Sequence, residues 1–449
     1  MKELYIVSDL HMGGDGQLQV CDYTAEMVAF LQELQAKAAE GDQIELILAG
    51  DTFGFWELTS INGNGRLDEI IAHHRPIFDE LKEAGRKIKI TMMVGNHDYD
   101  LACDPVYVNK LSDWNIYLNT SLALTRDVDG HVIWIEHGQQ LDVYNASADY
   151  RNPFALPLGY FITEWVVSGA SLHSEFGYGN WLKDIRSIGS MQIPEWMFSN
   201  YFYREMNLFF RWLALPFLLL FSLTIFGIIG QALVFTNLVS ANYFLNNPLI
   251  EWLGYVGDVF AWIITINMGI VLFLIILAIP LILLFRDVRS ALYRFRILSS
   301  NQEREVQDLY SNDPYFEHGR KILDENEAVS AYVYGHTHQA LLEKQADGRL
   351  IINTGTWLKI LRRVSVRVGW LPAVYVPTFR LNYFKFSGRD GNLHVDYVEV
   401  AKEPEDELTT LQSVLTFWRQ IPEGKYIPLR TVVPKKQLEQ EQKKSRPII

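Results

Sequence analysis

Apolar residues fall along this chain in two kinds of run. The short runs stop abruptly at polar residues and glycine. Leu4 to Val7 ends at Ser8-Asp9, and Glu45 to Ala49 at Gly50-Asp51. Ile88 to Val94 ends at Gly95-Asn96-His97-Asp98, Val132 to Ile135 at Glu136-His137-Gly138, and Tyr332 to Tyr334 at Gly335-His336-Thr337-His338. Such runs predict buried strands in a layered α/β or β-sandwich core. Helical patterns lie between the first of them. Thr24 to Glu40 predicts a helix with an N-cap and a C′ glycine at Gly41. Leu67 to Ala84 predicts another, bent or interrupted at Pro76. Strand-helix-strand alternation points to an α/β fold. Near the end, Leu381 to Phe386 and Leu393 to Val400 flank Gly388-Arg389-Asp390-Gly391 and predict a hairpin.

The long runs lie in the middle. Trp212 to Ile250 and Val259 to Phe285 contain no charged residue. Each exceeds the roughly 20 residues a helix needs to cross a bilayer. They predict two spans, at about 212–236 and 259–285, with Pro216 and Pro280 near the helix ends. Arg204 and Arg211 precede the first, Arg286, Arg289, Arg294 and Arg296 follow the second, and the loop between has Glu251 and Asp258 but no Lys or Arg. The positive-inside rule then places the loop outside and both soluble segments in the cytoplasm. Small residues such as Gly227 and Gly230 are of the kind membrane helices bury against partners, so a homo-oligomer is a further expectation.

Composition narrows the picture. The chain has 449 residues and a net charge of -13, which argues against a nucleic-acid partner. Its two cysteines, Cys21 and Cys103, make neither a disulfide framework nor a zinc site. Met1-Lys2-Glu3 runs straight into the first strand, so no secretory leader is expected. The segment 149–210 is rich in aromatics, among them Tyr160, Phe161, Trp165, Phe176, Tyr178, Trp181, Trp196, Phe198, Tyr201, Phe202 and Tyr203. It suits a membrane interface or a cap packed on the core. The tail from 403 to 449 carries Lys435-Lys436 and Lys443-Lys444 and is expected to be partly disordered, either solvated or touching anionic lipid.

The polar residues at the strand ends carry the chemistry. Asp9-x-His11, Gly50-Asp51, Gly95-Asn96-His97-Asp98, His137-Gly138 and Gly335-His336-Thr337-His338 are five pieces rich in metal ligands. Two divalent ions can clamp the attacking and leaving oxygens of a phosphoryl displacement, and a carboxylate suits bridging them. Imidazole with carboxylate and no thiolate suits manganese, iron or zinc. Residues i and i+2 along a strand point the same way, which accounts for Asp9-x-His11 and His336-x-His338.

In this order the five pieces resemble the calcineurin-like metallophosphoesterase superfamily, over about residues 1–140 and 325–400. The resemblance implies a four-layer αββα sandwich, here with an inserted α-helical transmembrane hairpin. It implies two divalent metal ions, manganese foremost. One would be held by Asp9, His11, Asp51 and His338, the other by Asp51, Asn96, His137 and His336, with Asp51 bridging and a water between the ions as nucleophile. His97 would face the phosphate and serve the leaving oxygen, with Asn96 beside it. Asp98 would orient His97 or else hold a turn. Asn353-Thr354-Gly355-Thr356 resembles the family's closing segment, so Thr354 is a candidate phosphate contact or part of a structural turn. In the basic stretch after it (Lys359, Arg362, Arg363, Arg367), Arg362 and Arg363 are candidates for phosphate or headgroup binding, or are surface charge.

The implied organisation is a core in two parts, 1–148 and 325–402. Between them lie an aromatic insert at 149–210, a hairpin at 211–286 and connecting helices at 287–324; the charged tail follows. The insert resembles in outline the lid of bacterial hydrolases that cleave the pyrophosphate of a UDP-diacyl sugar. Those usually carry Arg at the place of His97 and lack a spanning hairpin. The expected function is a membrane-anchored phosphoesterase acting on a phosphorylated substrate, lipid-linked in the leading version, with membrane lipids as further partners. The alternatives are a tethered phosphoprotein or nucleotide phosphatase, and a non-catalytic scaffold that would be expected to have lost ligands this chain retains.

Overall fold

The computed structural model describes residues 2–13, 22–58, 61, 63–164, 184, 187–188, 192–242, 245, 248–294, 314–366, 371–402, 408–417 and 426–434. The strands begin with Lys2–Val7 (β1), Gln43–Ala49 (β2), Lys89–Met93 (β3), Ile116–Asn119 (β4), Ala123–Val128 (β5), His131–Glu136 (β6) and Val329–Tyr334 (β7). They continue with Leu341–Lys344 (β8), Leu350–Asn353 (β9), Ile360–Val364 (β10), Val374–Thr378 (β11), Leu381–Arg389 (β12), Asn392–Val400 (β13) and Arg430–Val433 (β14). All five apolar runs that end on candidate ligands are strands.

One sheet has the order β14-β13-β12-β1-β2-β3-β4. Its β1 to β4 half is parallel, and β12 joins β1 antiparallel. The second has the order β5-β6-β7-β9-β8, parallel at its centre. Alternation along β1 separates two cores. Leu4 and Ile6 enter a core between the sheets with Ile47, Ile133, Val333 and Phe384. Tyr5 and Val7 point the other way, toward Met27, Leu31 and Phe78 of the overlying helices. On the far face of the second sheet, Tyr332 and Tyr334 pack against Ile322 and Leu323 of helix Pro314–Glu325. Two facing sheets with helices outside make the mixed α/β fold expected. The parallel strands leave their C-terminal ends gathered at one edge, where ligands bind in open α/β sheets.

Local expectations hold with adjustments. The first helix is Thr24–Ala39, but Tyr23 occupies the cap position without a side-chain bond, and Thr24 is already helical. Gly41 does sit beyond its end at φ 101°. The second pattern splits at His74 into Gly65–His73 and Arg75–Ala84, with Pro76 in the first turn of the latter, where its missing N–H costs nothing. The β12–β13 hairpin closes on Asp390 and Gly391, both at positive φ as a type I′ turn requires. The tail is ordered where it is described: β14 adds to the first sheet, and Thr410–Thr416 is a helix with a capping box.

The apolar middle forms the helices Leu208–Phe235 and Tyr255–Arg294. Among the described residues one helix is long and apolar enough to cross a membrane, Tyr255–Pro280, with mean hydropathy 2.7 and 17% of its apolar window buried. The other expected span contributes a shorter apolar stretch, Leu223–Phe235. The second helix runs through Pro280 instead of ending near it. A Cβ on Gly227 would press on Ile264 and Met268 of that helix, and Gly230 faces Asn242. Both glycines thus serve packing within the chain. In the aromatic insert, Trp196, Phe202 and Tyr203 are buried against the antiparallel pair β10–β11, whereas Phe198 and Tyr201 are exposed. Cys21, Trp165, Phe176, Tyr178, Trp181, Arg296, Arg367 and the tail lysines lie outside the described residues.

Candidate metal centre

Seven candidate ligands come from five separate strand ends, and the fold gathers them. Asp9, His11 and His338 bring ligand atoms within 4.8 Å of one another, and so do Asp51, His137 and His336. Asp51 joins the two sets: its Oδ2 lies 3.1 Å from His137 Nε2 and 3.7 Å from His11 Nε2. In the first set, His338 Nε2 is 3.3 Å from Asp9 Oδ1 and 3.0 Å from His11 Nε2.

The backbone that achieves this is strained. Asp9 (φ 55°), His11 (46°), Asp51 (49°), His336 (66°) and His338 (58°) are all left-handed, a conformation costing non-glycine residues about 1–3 kcal/mol each. This corrects the alternation expected for the two i, i+2 pairs. β1 ends at Val7 and β7 at Tyr334, so both pairs sit in turns beyond the strands. His336 and His338 accordingly join different sets. Surrounding bonds hold the turns: Asp9 N–H donates to Gly50 O, His11 N–H to Asp51 O, and His336 N–H to Asp9 Oδ2. Gly50, at φ 90°, leaves room for His137; a Cβ there would come within 2.5 Å of its Nδ1. A Cβ on Gly95 would collide with the Asp51 carboxylate.

The donor set fits a pair of divalent ions. Asp9 Oδ1, both side-chain polar atoms of Asn96, His137 Nε2 and His336 Nδ1 are buried without a hydrogen-bond partner. Leaving so many buried polar atoms unsatisfied is costly unless a ligand completes them. The opposite edges of two rings are meanwhile anchored, as metal-ligating histidines require. His137 Nδ1 bonds Ala49 O at 3.0 Å, and His336 Nε2 bonds Asp142 at 3.0 Å.

The electrostatics agree. Burial alone would raise the pKa of Asp51, but the neighbouring histidines, His137 foremost, hold it well below the ordinary value. Asp9 behaves likewise, with His11, His137 and His338 outweighing burial. Burial pushes His11 down to about 3, so its imidazole is neutral and ready to ligate. For His137, burial is outweighed by Asp51, and the ring is raised to about 10. A divalent ion held by these residues would supply the positive charge that His137 otherwise carries.

Other candidates fall differently. His97 donates its backbone N–H to Asp51 Oδ1 at 2.8 Å, and its ring lies 4.7 Å from His11 and 4.5 Å from Trp56. Burial lowers its pKa, against the pull of Asp51 and Asp98. The proposed orienting role of Asp98 is corrected. Its carboxylate accepts from the backbone N–H groups of Gly95, Thr52 and Phe53, holding the turn. Burial and the Asp51 charge raise its pKa to about 7. The carboxylate against His97 is Glu57, 2.7 Å from Nδ1 and almost fully buried. Thr354 is also corrected: its buried hydroxyl lies 2.5 Å from Ser8 Oγ and bonds Tyr334 O, bracing the floor under Asp9. Arg363 is paired with Glu195, and Arg362, half-buried, stands with it on β10; neither joins the ligand sets. Lys359 is buried beside Asp184.

Sequence reasoning missed Glu57 and Asp142. Glu57 follows Phe55-Trp56 in what reads as a core segment, and Asp142 lies five residues past His137 with no motif around it. Glu57 places a carboxylate against Nδ1 of His97, an arrangement that would leave Nε2 as the ring nitrogen open to gain and lose a proton. Glu57→Gln is therefore expected to slow hydrolysis of an alkyl phosphate by about 10–100-fold, the usual cost of losing an orienting partner. A nitrophenyl ester, whose leaving group needs no proton, should lose far less. Equal losses on both substrates, measured as kcat, would refute this role.

Residues 3–168 match the calcineurin-like phosphoesterase family. That stretch holds Asp9, His11, Asp51, Asn96, His97 and His137, while His336 and His338 enter the same site from beyond it. No curated protein matches the sequence. Two solved structures are similar in part. One is a conserved uncharacterized protein of Streptococcus pneumoniae, described as a predicted phosphoesterase (10% identity, TM-score 0.24, covering 90% of this chain and 94% of that one). The other is a dimetal phosphatase from Danio rerio (9% identity, TM-score 0.30, covering 89% and 99%). Likenesses so slight carry no argument. The matched family and the gathered ligands do: residues 3–168 carry a calcineurin-like phosphoesterase domain, and with the ligands gathered there the protein is a metal-dependent phosphoesterase.

Proposed function

We propose that this protein is a membrane-anchored phosphoesterase that cleaves a phosphomonoester, phosphodiester or pyrophosphate bond of a lipid-linked substrate at the cytoplasmic face. The observation that carries the hydrolytic part is the pair of adjacent ligand sets, with Asp51 of one lying 3.7 Å from His11 of the other. Asp9, His11, Asp51 and His338 would hold one ion, and Asp51, Asn96, His137 and His336 the other. The ions, manganese foremost, would supply Lewis acidity and an activated water. The chain's own residues do the rest. Asp142 and the Ala49 carbonyl fix the ligand rings. His97 stands beside the bridging carboxylate, where its Nε2 can carry the proton for the leaving oxygen. An anionic substrate arriving there favours the protonated ring that burial disfavours.

The membrane part is supported by the apolar helix Tyr255–Pro280, which is far too exposed for a soluble core, and by the arginines flanking the apolar segments. Exposed Phe209, Phe210 and Trp212 open the first apolar helix, as aromatic residues do at a bilayer surface. A substrate held in lipid would explain why the catalytic domain is anchored.

Purified full-length protein with manganese is expected to hydrolyse aryl phosphates or diesters. Asp51→Ala should abolish turnover, and His97→Ala should lower kcat on an unactivated ester by about 10²–10⁴, the usual worth of a positioned acid. Absence of wild-type turnover, or unchanged turnover in both variants, would overturn the reading. For topology, an impermeant thiol reagent applied outside cells should label Asn246→Cys and spare Arg296→Cys. The reverse pattern would refute the cytoplasmic placement.

A further inference from the structure

The C-terminal helix Thr410–Thr416 has no task in the catalytic site, yet it is unusual for a surface helix. Residues 408–417 contain no charged side chain. Leu411 and Leu415 on its inward face, with Leu408 just before its cap, pack with Val364, Leu371, Val374 and Val376 and with Ala214, Leu215 and Leu218 of the first apolar helix. Its outward face is also apolar in part: Val414 is 67% exposed. A surface helix normally turns charged residues to water, and one apolar on both sides is normally buried.

One exposed valine means little. Continuity gives it meaning. The apolar helix that shares this cluster begins with Leu208 (64% exposed), Phe209 (69%), Phe210 (59%) and Trp212 (66%). Two chain segments far apart in sequence thus present exposed apolar side chains around one small core, with Arg211 the charged residue among them. That core also includes β10–β11, which continues from the floor of the metal site. Thr356 donates its hydroxyl to Asp9 O at 2.8 Å, and β10 begins at Ile360.

We propose that helix Thr410–Thr416 lies in the headgroup layer of a lipid bilayer, forming with the opening turns of helix Leu208–Phe235 an interfacial foot that fixes the metal centre relative to the bilayer surface. The proposal rests on the membrane-anchored reading and deepens it. Burial of an apolar helix face at the headgroup–acyl boundary supplies the driving force.

The test uses the full chain in phosphatidylcholine–phosphatidylglycerol liposomes, with Cys21 and Cys103 replaced by serine. A nitrobenzoxadiazole label is placed at Val414→Cys, at Ile270→Cys in the apolar helix, or at Tyr117→Cys on the exposed β4 edge. Label at 414 should emit blue-shifted and be quenched by lipids spin-labelled near the headgroup. Label at 270 should be quenched by deep spin labels, and label at 117 by neither. If 270 is quenched but 414 behaves like 117, the foot is refuted and the anchored reading stands. If neither 270 nor 414 is quenched, both fall. A blue shift at 414 without lipid quenching would mean protein contact, including a second copy, and would also refute the foot.

Discussion

Two carboxylates, Asp9 and Asp51, are buried side by side with no lysine or arginine in the ligand sets to balance them. Charge taken out of water must be compensated nearby. Histidines do this partially, by holding a proton on His137. Divalent ions would do it fully and would use the lone pairs of the rings. The rest of the molecule can be read as the scaffold for this balance. The parallel strands bring the carboxylates to one edge, left-handed turns aim them inward, and second partners such as Asp142 and Ala49 fix the rings.

The cost of that arrangement is distributed sensibly. Five ligands sit in disfavoured backbone conformations, while the central strands β1, β2 and β3 beneath Asp9 and Asp51 pair in unbroken register. Strain of this kind persists only where the surroundings over-determine it. Bonds between the turns themselves, such as His336 N–H to Asp9, provide that constraint.

Much of this was legible in the sequence, because strand termini and ligand chemistry are local. The apolar runs ending on Asp, Asn, His and Gly gave the strands and the ligands together. What escaped depends on tertiary contact. Glu57 reads as a core neighbour until the fold sets it against His97. Asp98 looked like a partner by adjacency, yet its turn claims the carboxylate. Arg363 looked like a phosphate binder until Glu195 met it. Gly227 and Gly230 face Ile264, Met268 and Asn242 of the same chain, neighbours that only the fold brings to them. The left-handed turns also went unseen, since Asp and His give no signal as strong as glycine for positive φ.

The central claim is that Asp51 is shared by two ions. Metal analysis of the purified protein, loaded with manganese and freed of excess, tests it most directly. About two ions per chain are expected, falling to about one in His338→Ala and to nearly none in Asp51→Asn, because only a bridging carboxylate would serve both positions. One ion or fewer in the wild type, or an unchanged content in Asp51→Asn, would contradict it.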